Sequence, residues 1–227
     1  MLPAQPLQKT HRTKEEYVYD ALHDAIMRCE LAPGEKLVID TISDWLEVSP
    51  IPVRGALQRL QAEGLVEITP HTGAVVSEIS PDNISEIFVL LESLESIAFN
   101  DAAQKATATD LAYLRQLIDG MAQAIKAGDA GRWYDLNNQF HLAVAGITQM
   151  KMLIRFTARA LASRDRLRHF YSTTFVTSRM SEAHAEHCQM VDLLESLDLD
   201  HLTPLVAKHN RTARQAYQKL IENKLTD

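Results

Sequence analysis

The 227-residue chain has only two cysteines, Cys29 and Cys188. Two thiols cannot build a disulfide framework, and they fit a reducing, cytoplasmic compartment. No apolar run approaches the roughly 18 residues of a membrane span, so no membrane association is expected. The segment Met1–Lys9 has no continuous apolar core and does not read as a signal peptide. Repeats and low-complexity tracts are missing too. Positive charge is scarce: 23 Lys and Arg stand against 30 Asp and Glu, for a net charge of −7. That balance argues against non-specific binding of nucleic acid by the whole surface. The first 80 residues share the acidic excess. One stretch escapes it, because Ser49 to Gln61 contains no acidic residue.

That stretch reads as a helix. Ser49 is an N-cap whose hydroxyl is expected to accept from a free amide one turn on. Pro50 at the first helical position loses nothing by lacking an N–H, and Pro52 is still inside the first turn. Val53, Ala56, Leu57 and Leu60 share one face at helical spacing. The opposite face carries Arg54, Gln58 and Arg59, with Ile51, Gly55 and Ala62 between them. Arginines there can hold phosphates or fork onto a guanine edge, and small residues let the backbone approach a partner.

The flanks complete a module. Residues 12–29 carry a helical stripe through Tyr17, Ala21, Leu22, Ala25, Ile26 and Cys29. Leu31-Ala32-Pro33-Gly34 breaks it. Thr41 to Val48 reads as a short helix ending in a tight turn. Gly64 closes the Ser49 helix as its C′ residue. Leu65–Ile68 and Ala74–Val76 read as two short strands, with His71, Thr72 and Gly73 at the hairpin tip. Helix, turn, helix and two-stranded wing make a DNA-docking module, with Ser49, Arg54, Gln58, Arg59, His71, Thr72 and Gly73 as its candidate contacts. So few basic residues per copy favour a dimer, which doubles the contacts.

These residues resemble the winged helix of the GntR family of bacterial transcriptional regulators. The matching string is Leu31-x-Pro33-Gly34-x-x-Leu37, Val48-Ser49-x-x-Pro52-Val53-Arg54-x-Ala56-Leu57-x-x-Leu60, Glu63-Gly64-Leu65-Val66 and Gly73-x-x-Val76. Two positions depart from the family. Pro50 stands where Arg is usual, and Gly55 where Glu is usual.

The fold class expected is mostly α: a winged helix-turn-helix over 12–79, preceded by a flexible arm over 1–11, and an effector-binding and dimerisation domain over 80–227. Ser80-Pro81 marks the boundary by the same capping logic as Ser49-Pro50. Beyond it the pattern predicts a six-helix antiparallel bundle, with helices at 81–105, 108–127, 130–146, 149–171, 176–199 and 202–223. Pro204 then falls in the first turn of the last helix. This half resembles the FadR-type ligand-binding domain through Leu94-Glu95, Phe140-His141, Glu186-His187 and His209.

Asn137 and His141 lie four apart on one helix face, and His187 and His209 come from two later helices. Bundles build interior sites in this way. The resemblance implies a divalent metal held by an Asp and three His. Here Asn137 stands in the Asp position beside His141, His187 and His209, and imidazole suits Zn, Ni, Co or Mn. Arg164 and Arg168 are the candidates to meet a carboxylate effector. The function implied is a metabolite-responsive repressor that binds an inverted-repeat operator in double-stranded DNA as a homodimer. The alternative is a metal-dependent enzyme in the bundle. It needs a general base beside the metal. Glu186 is the adjacent candidate, and its sequence neighbourhood to His187 should point it off on a different helix face.

Overall fold

The computed structural model describes Pro3 and residues 13–69, 73–171 and 179–226, with the backbone alone for Pro81 and 220–226. Apart from Pro3, the arm expected at 1–11 lies outside the described residues, as do the wing-tip residues His71 and Thr72. The chain divides into two compact units, Met1–Ser80 and Pro81–Asp227. None of the described helices is long and apolar enough to cross a membrane.

The first unit holds α1 (Lys14–Met27), β1 (Lys36–Leu37), α2 (Ile39–Leu46), α3 (Pro50–Ala62), β2 (Val66–Thr69) and β3 (Gly73–Val76). α1 starts on a capping box in which Thr13 and Glu16 each satisfy the other's backbone N–H. Glu47, in the left-handed region at φ 54°, ends α2 and makes the turn into α3. Val53, Ala56, Leu57 and Leu60 are buried against α1, α2 and the sheet, as their spacing requires. Burying each such leucine is worth about 1.5–3 kcal/mol.

Two expectations need correction here. Ser49 is the N-cap residue of α3, but its hydroxyl makes no capping bond. The third helical residue is Pro52, and a proline has no N–H to offer. The wing also has three strands rather than two, in the order β1-β3-β2. β1 pairs with β3 through Lys36↔Val75 and Leu37↔Ala74. It is two residues long, too short to show any alternation.

Among the described residues the elements of the second unit are all helices: α4 (Pro81–Lys105), α5 (Ala108–Ala127), α6 (Ala130–Ile147), α7 (Lys151–Tyr171), α8 (Met180–Glu195) and α9 (Leu199–Thr226). α4 packs on α6, α7 and α9, α5 on α6 and α8, and α8 on α9. A Thr107–Asp110 capping box starts α5, and Gly128 at φ 68° ends it. The last break comes earlier than the pattern predicts. Leu197 turns the chain at φ 57°, and α9 begins at Leu199. Pro204 therefore sits in the second turn of α9, where it withholds a bond from the carbonyl of Asp200.

Candidate functional site

In the first unit, α3 presents Arg54, Gln58 and Arg59 to solvent, and Ser49 is exposed at its start. The two arginines differ. Among the described residues Arg54 makes no ion pair, whereas the Arg59 guanidinium lies 3.6 Å from the Tyr19 ring centroid and its Nε is 3.8 Å from Glu63 Oε1. Tyr19 donates to Glu63 Oε2 at 2.8 Å, so Arg59, Tyr19 and Glu63 form one cluster on the α1–α3 flank.

Gly55 is not open space on that face. A Cβ built there would stand 2.5 Å from Glu15 Oε2, because α1 crosses α3 at this point. A carboxylate from α1 thus occupies the flank beside Arg54. Gly73 opens β3 at φ 104°, a conformation that favours glycine. Lys36 of β1 approaches it, 3.8 Å from where a Gly73 Cβ would be. Lys36 adds a basic, exposed side chain to the wing, a placement hidden until β1 is paired.

The second unit brings the three predicted histidines together. His141 on α6, His187 on α8 and His209 on α9 are all buried, each offering a ligand atom within 4.8 Å of the others. Phe140 and Trp133 wall the cluster, with ring centroids 4.7 Å and 6.3 Å from that of His187. His187 is 0% exposed, and among the described residues neither of its ring nitrogens has a hydrogen-bond partner. Burial, then the neighbouring His209 and His141, pushes its pKa well below the usual histidine range. Burial lowers His141 too, against the pull of Glu95. A neutral imidazole with an unpartnered nitrogen is the form that ligates a metal.

Two carboxylates stand behind the cluster. Glu95 Oε1 on α4 is 3.0 Å from His141 Nδ1, at an angle outside that of a good hydrogen bond. Its Oε2 accepts from Asn210 at 2.7 Å. Burial opposes ionisation of Glu95, but His141, Arg164 and His209 outweigh it and hold the carboxyl at about 2. Glu186 Oε2 is 2.7 Å from His209 Nδ1 and accepts from Arg179 at 2.9 Å. Glu186, expected to point off on a different helix face from His187, instead reaches His209 of the same cluster on α9. Despite burial, His209 and Arg179 lower its pKa, which makes it a weak general base.

A cavity opens beside His209, lined by Trp133, Tyr134, Asn137, Arg164, Arg179 and Tyr217 among others. Its volume is about 60 Å³ of room for water centres. That is several times the 10–15 Å³ or so that one water needs. Asn137 is 3% exposed. Arg164 donates to Asn138 at 2.8 Å. Arg168 is not on this wall: it bonds Asp165 at 2.7 Å and stacks over the Tyr134 ring at 4.7 Å. The sequence reading missed Arg179, although Arg179 and Glu186 are seven apart, the spacing of two helical turns.

Comparison with known proteins agrees with both units. Residues 14–76 match "Bacterial regulatory proteins, gntR family", and residues 86–212 match "FCD domain". The Nta operon transcriptional regulator of Aminobacter aminovorans is 26% identical over 197 residues, 86% of this chain and 90% of its own. The repressor RspR of Escherichia coli K12 is 23% identical over 218 residues, 96% of this chain and 92% of its own. Among solved structures, E. coli McbR/YncC superposes with a TM-score of 0.74 at 22% identity, covering 92% of this chain and 99% of that one.

Proposed function

The chain belongs to the GntR family of bacterial regulatory proteins and carries an FCD domain, and from that premise we propose a metabolite-responsive repressor that binds an inverted-repeat operator as a homodimer. That it is a DNA-binding transcriptional regulator and not an enzyme follows from the family and the names of its relatives. RspR, a similar chain, is a repressor, which supports the sign of the response. The exposed, acid-free face of α3 supports Arg54 and Gln58 as base-reading residues, with Ser49, Arg59, Lys36 and the His71–Thr72–Gly73 tip on the backbone. For Arg59 to reach a phosphate it must leave the Tyr19 ring.

The observation that carries the ligand response is the cavity in the second unit, where apolar and aromatic walls meet Arg164, Arg179, Asn137 and His209. Pockets with a few convergent polar groups bind small molecules, and two guanidinium groups favour a carboxylate. The orphaned nitrogens of His187 and the chemistry of three imidazoles fit a divalent metal, Zn, Ni, Co or Mn, held by His141, His187 and His209 with Asn137 beside them. A bound ion would supply positive charge and an open position for an anionic effector.

Exposed apolar side chains support a second copy as partner. Val89, Leu90 and Ile97 on α4, and Met152 and Phe156 on α7, are 40–56% exposed on helices that pack together. Gel-shift titration of the DNA upstream of its own gene, with and without small carboxylates, tests the reading. Specific binding that an acid weakens is expected. Binding that is absent, or indifferent to every acid and metal, would overturn it.

A further inference from the structure

The metal reading above is the basis for one further assignment: we propose that Glu95 and Glu186 are positioning residues of the metal centre. Each holds one imidazole by its Nδ1 and turns the Nε2 inward, and together they supply the negative charge that Asn137 lacks.

Three observations carry this. First, the pairing is one carboxylate to one histidine, from a different helix each time. Glu186 on α8 meets His209 on α9 at a hydrogen-bonding 2.7 Å, and Glu95 on α4 stands 3.0 Å from His141 on α6, an ion-pair contact at a poor hydrogen-bond angle. A carboxylate on one ring nitrogen fixes the tautomer, leaves the other nitrogen as the ligand atom and raises its basicity. Second, both carboxylates are themselves fixed, Glu95 by Asn210 at 2.7 Å and Glu186 by Arg179 at 2.9 Å. A held carboxylate can hold a ring. Third, Glu95 is 1% exposed, and among the described residues its ion-pair partner is His141. A histidine that ligates a metal is neutral, so His141 cannot then balance that buried charge. Arg164 offsets part of that buried charge, and a divalent ion on the far side of the ring offsets more. His187 has no such carboxylate and is held by the Phe140 and Trp133 rings instead.

The charge balance follows. Three neutral imidazoles and a neutral amide leave a divalent ion uncompensated by its ligands. Glu95 and Glu186 place two negative charges one shell out, offset in part by Arg179, which pairs with Glu186 at 2.9 Å, and by Arg164.

The test is titration of the metal-stripped full chain with cobalt(II), read by the visible absorption of the bound ion, and with zinc against a chelator. Glu95→Gln and Glu186→Gln keep shape and remove charge, and each should weaken binding about 10–100-fold. Asn137→Asp should strengthen binding more in either variant than in the parent, a non-additivity that a merely structural role would not give. If the parent binds metal and both variants bind within twofold of it, or Asn137→Asp strengthens parent and variants equally, this assignment fails and the metal reading stands. If the parent binds no metal, the metal reading itself fails. Should Glu95→Gln not fold, Glu186→Gln decides alone.

Discussion

His187→Leu should make the metal-free protein more stable while abolishing its response to metal. The side chain is wholly buried, and both ring nitrogens lack partners. Leaving a buried polar atom unsatisfied costs about 1–3 kcal/mol. Leucine has nearly the same volume and no polar atom. It gives up the ring contacts with Phe140 and Trp133, worth about 0.5–1.5 kcal/mol each at most. The shape change costs less than about 1.5 kcal/mol. Relief of two orphaned nitrogens, less two ring contacts and the shape change, centres on a gain of about 1 kcal/mol for the metal-free second unit. For a domain of this size each kcal/mol moves the melting temperature by about 2–4 °C, so the variant should melt about 2–4 °C higher. Zinc at a hundred times its Kd stabilises the parent by about 2.7 kcal/mol, or about 5–11 °C, and should do nothing for the variant. Calorimetry of both proteins, with chelator and with zinc, reads all four values. A variant that melts several degrees below the parent without metal, or that keeps a zinc-induced rise, refutes the reasoning.

The metal-free parent should lose stability in acid, by a route that can be signed. Burial depresses the folded-state pKa of His187 and His141 below the unfolded 6.5, so the unfolded chain binds more protons. Stability is then full above pH 6.5 and falls as pH drops below it, by up to about 1.4 kcal/mol per pH unit per histidine; denaturant melts across pH 5–8 check this. Arg54→Ala should cost about 1–3 kcal/mol of specific DNA binding and relax selection at one base pair, as competition with substituted operators would reveal. Gly55→Ala should be neutral or stabilise α3 by up to about 1 kcal/mol in a thermal melt, because only the flexible end of Glu15 must move aside. Ile97→Glu, at a site 51% exposed on α4, should leave melting nearly unchanged and shift sedimentation from dimer to monomer.

Much of the fold was written in spacing. Val53, Ala56, Leu57 and Leu60 declare a buried face by period alone, and Ser80-Pro81 declares the start of α4. What stayed hidden depends on distant partners. β1 is strand only because β3 lies beside it. Gly55 looked like a gap on an exposed face, and the crossing of α1 fills it with Glu15. The three histidines were legible as a set through the family they resemble. Their carboxylates were not, since Glu95 is 46 residues from His141 in sequence and Glu186 was weighed as a base. Arg59 is the sharpest case: its helix position says exposed, but the Tyr19 ring, 40 residues earlier, decides where the guanidinium rests.

The most direct test of the account is selection of genomic DNA fragments by the full-length protein, followed by sequencing, for the parent and for Arg54→Ala, each with and without a mixture of small carboxylates. The account predicts that the parent enriches a two-fold symmetric motif, that Arg54→Ala loses it, and that the acids reduce the parent's enrichment. A parent that enriches no motif, or one whose motif survives both Arg54→Ala and the acids unchanged, contradicts it.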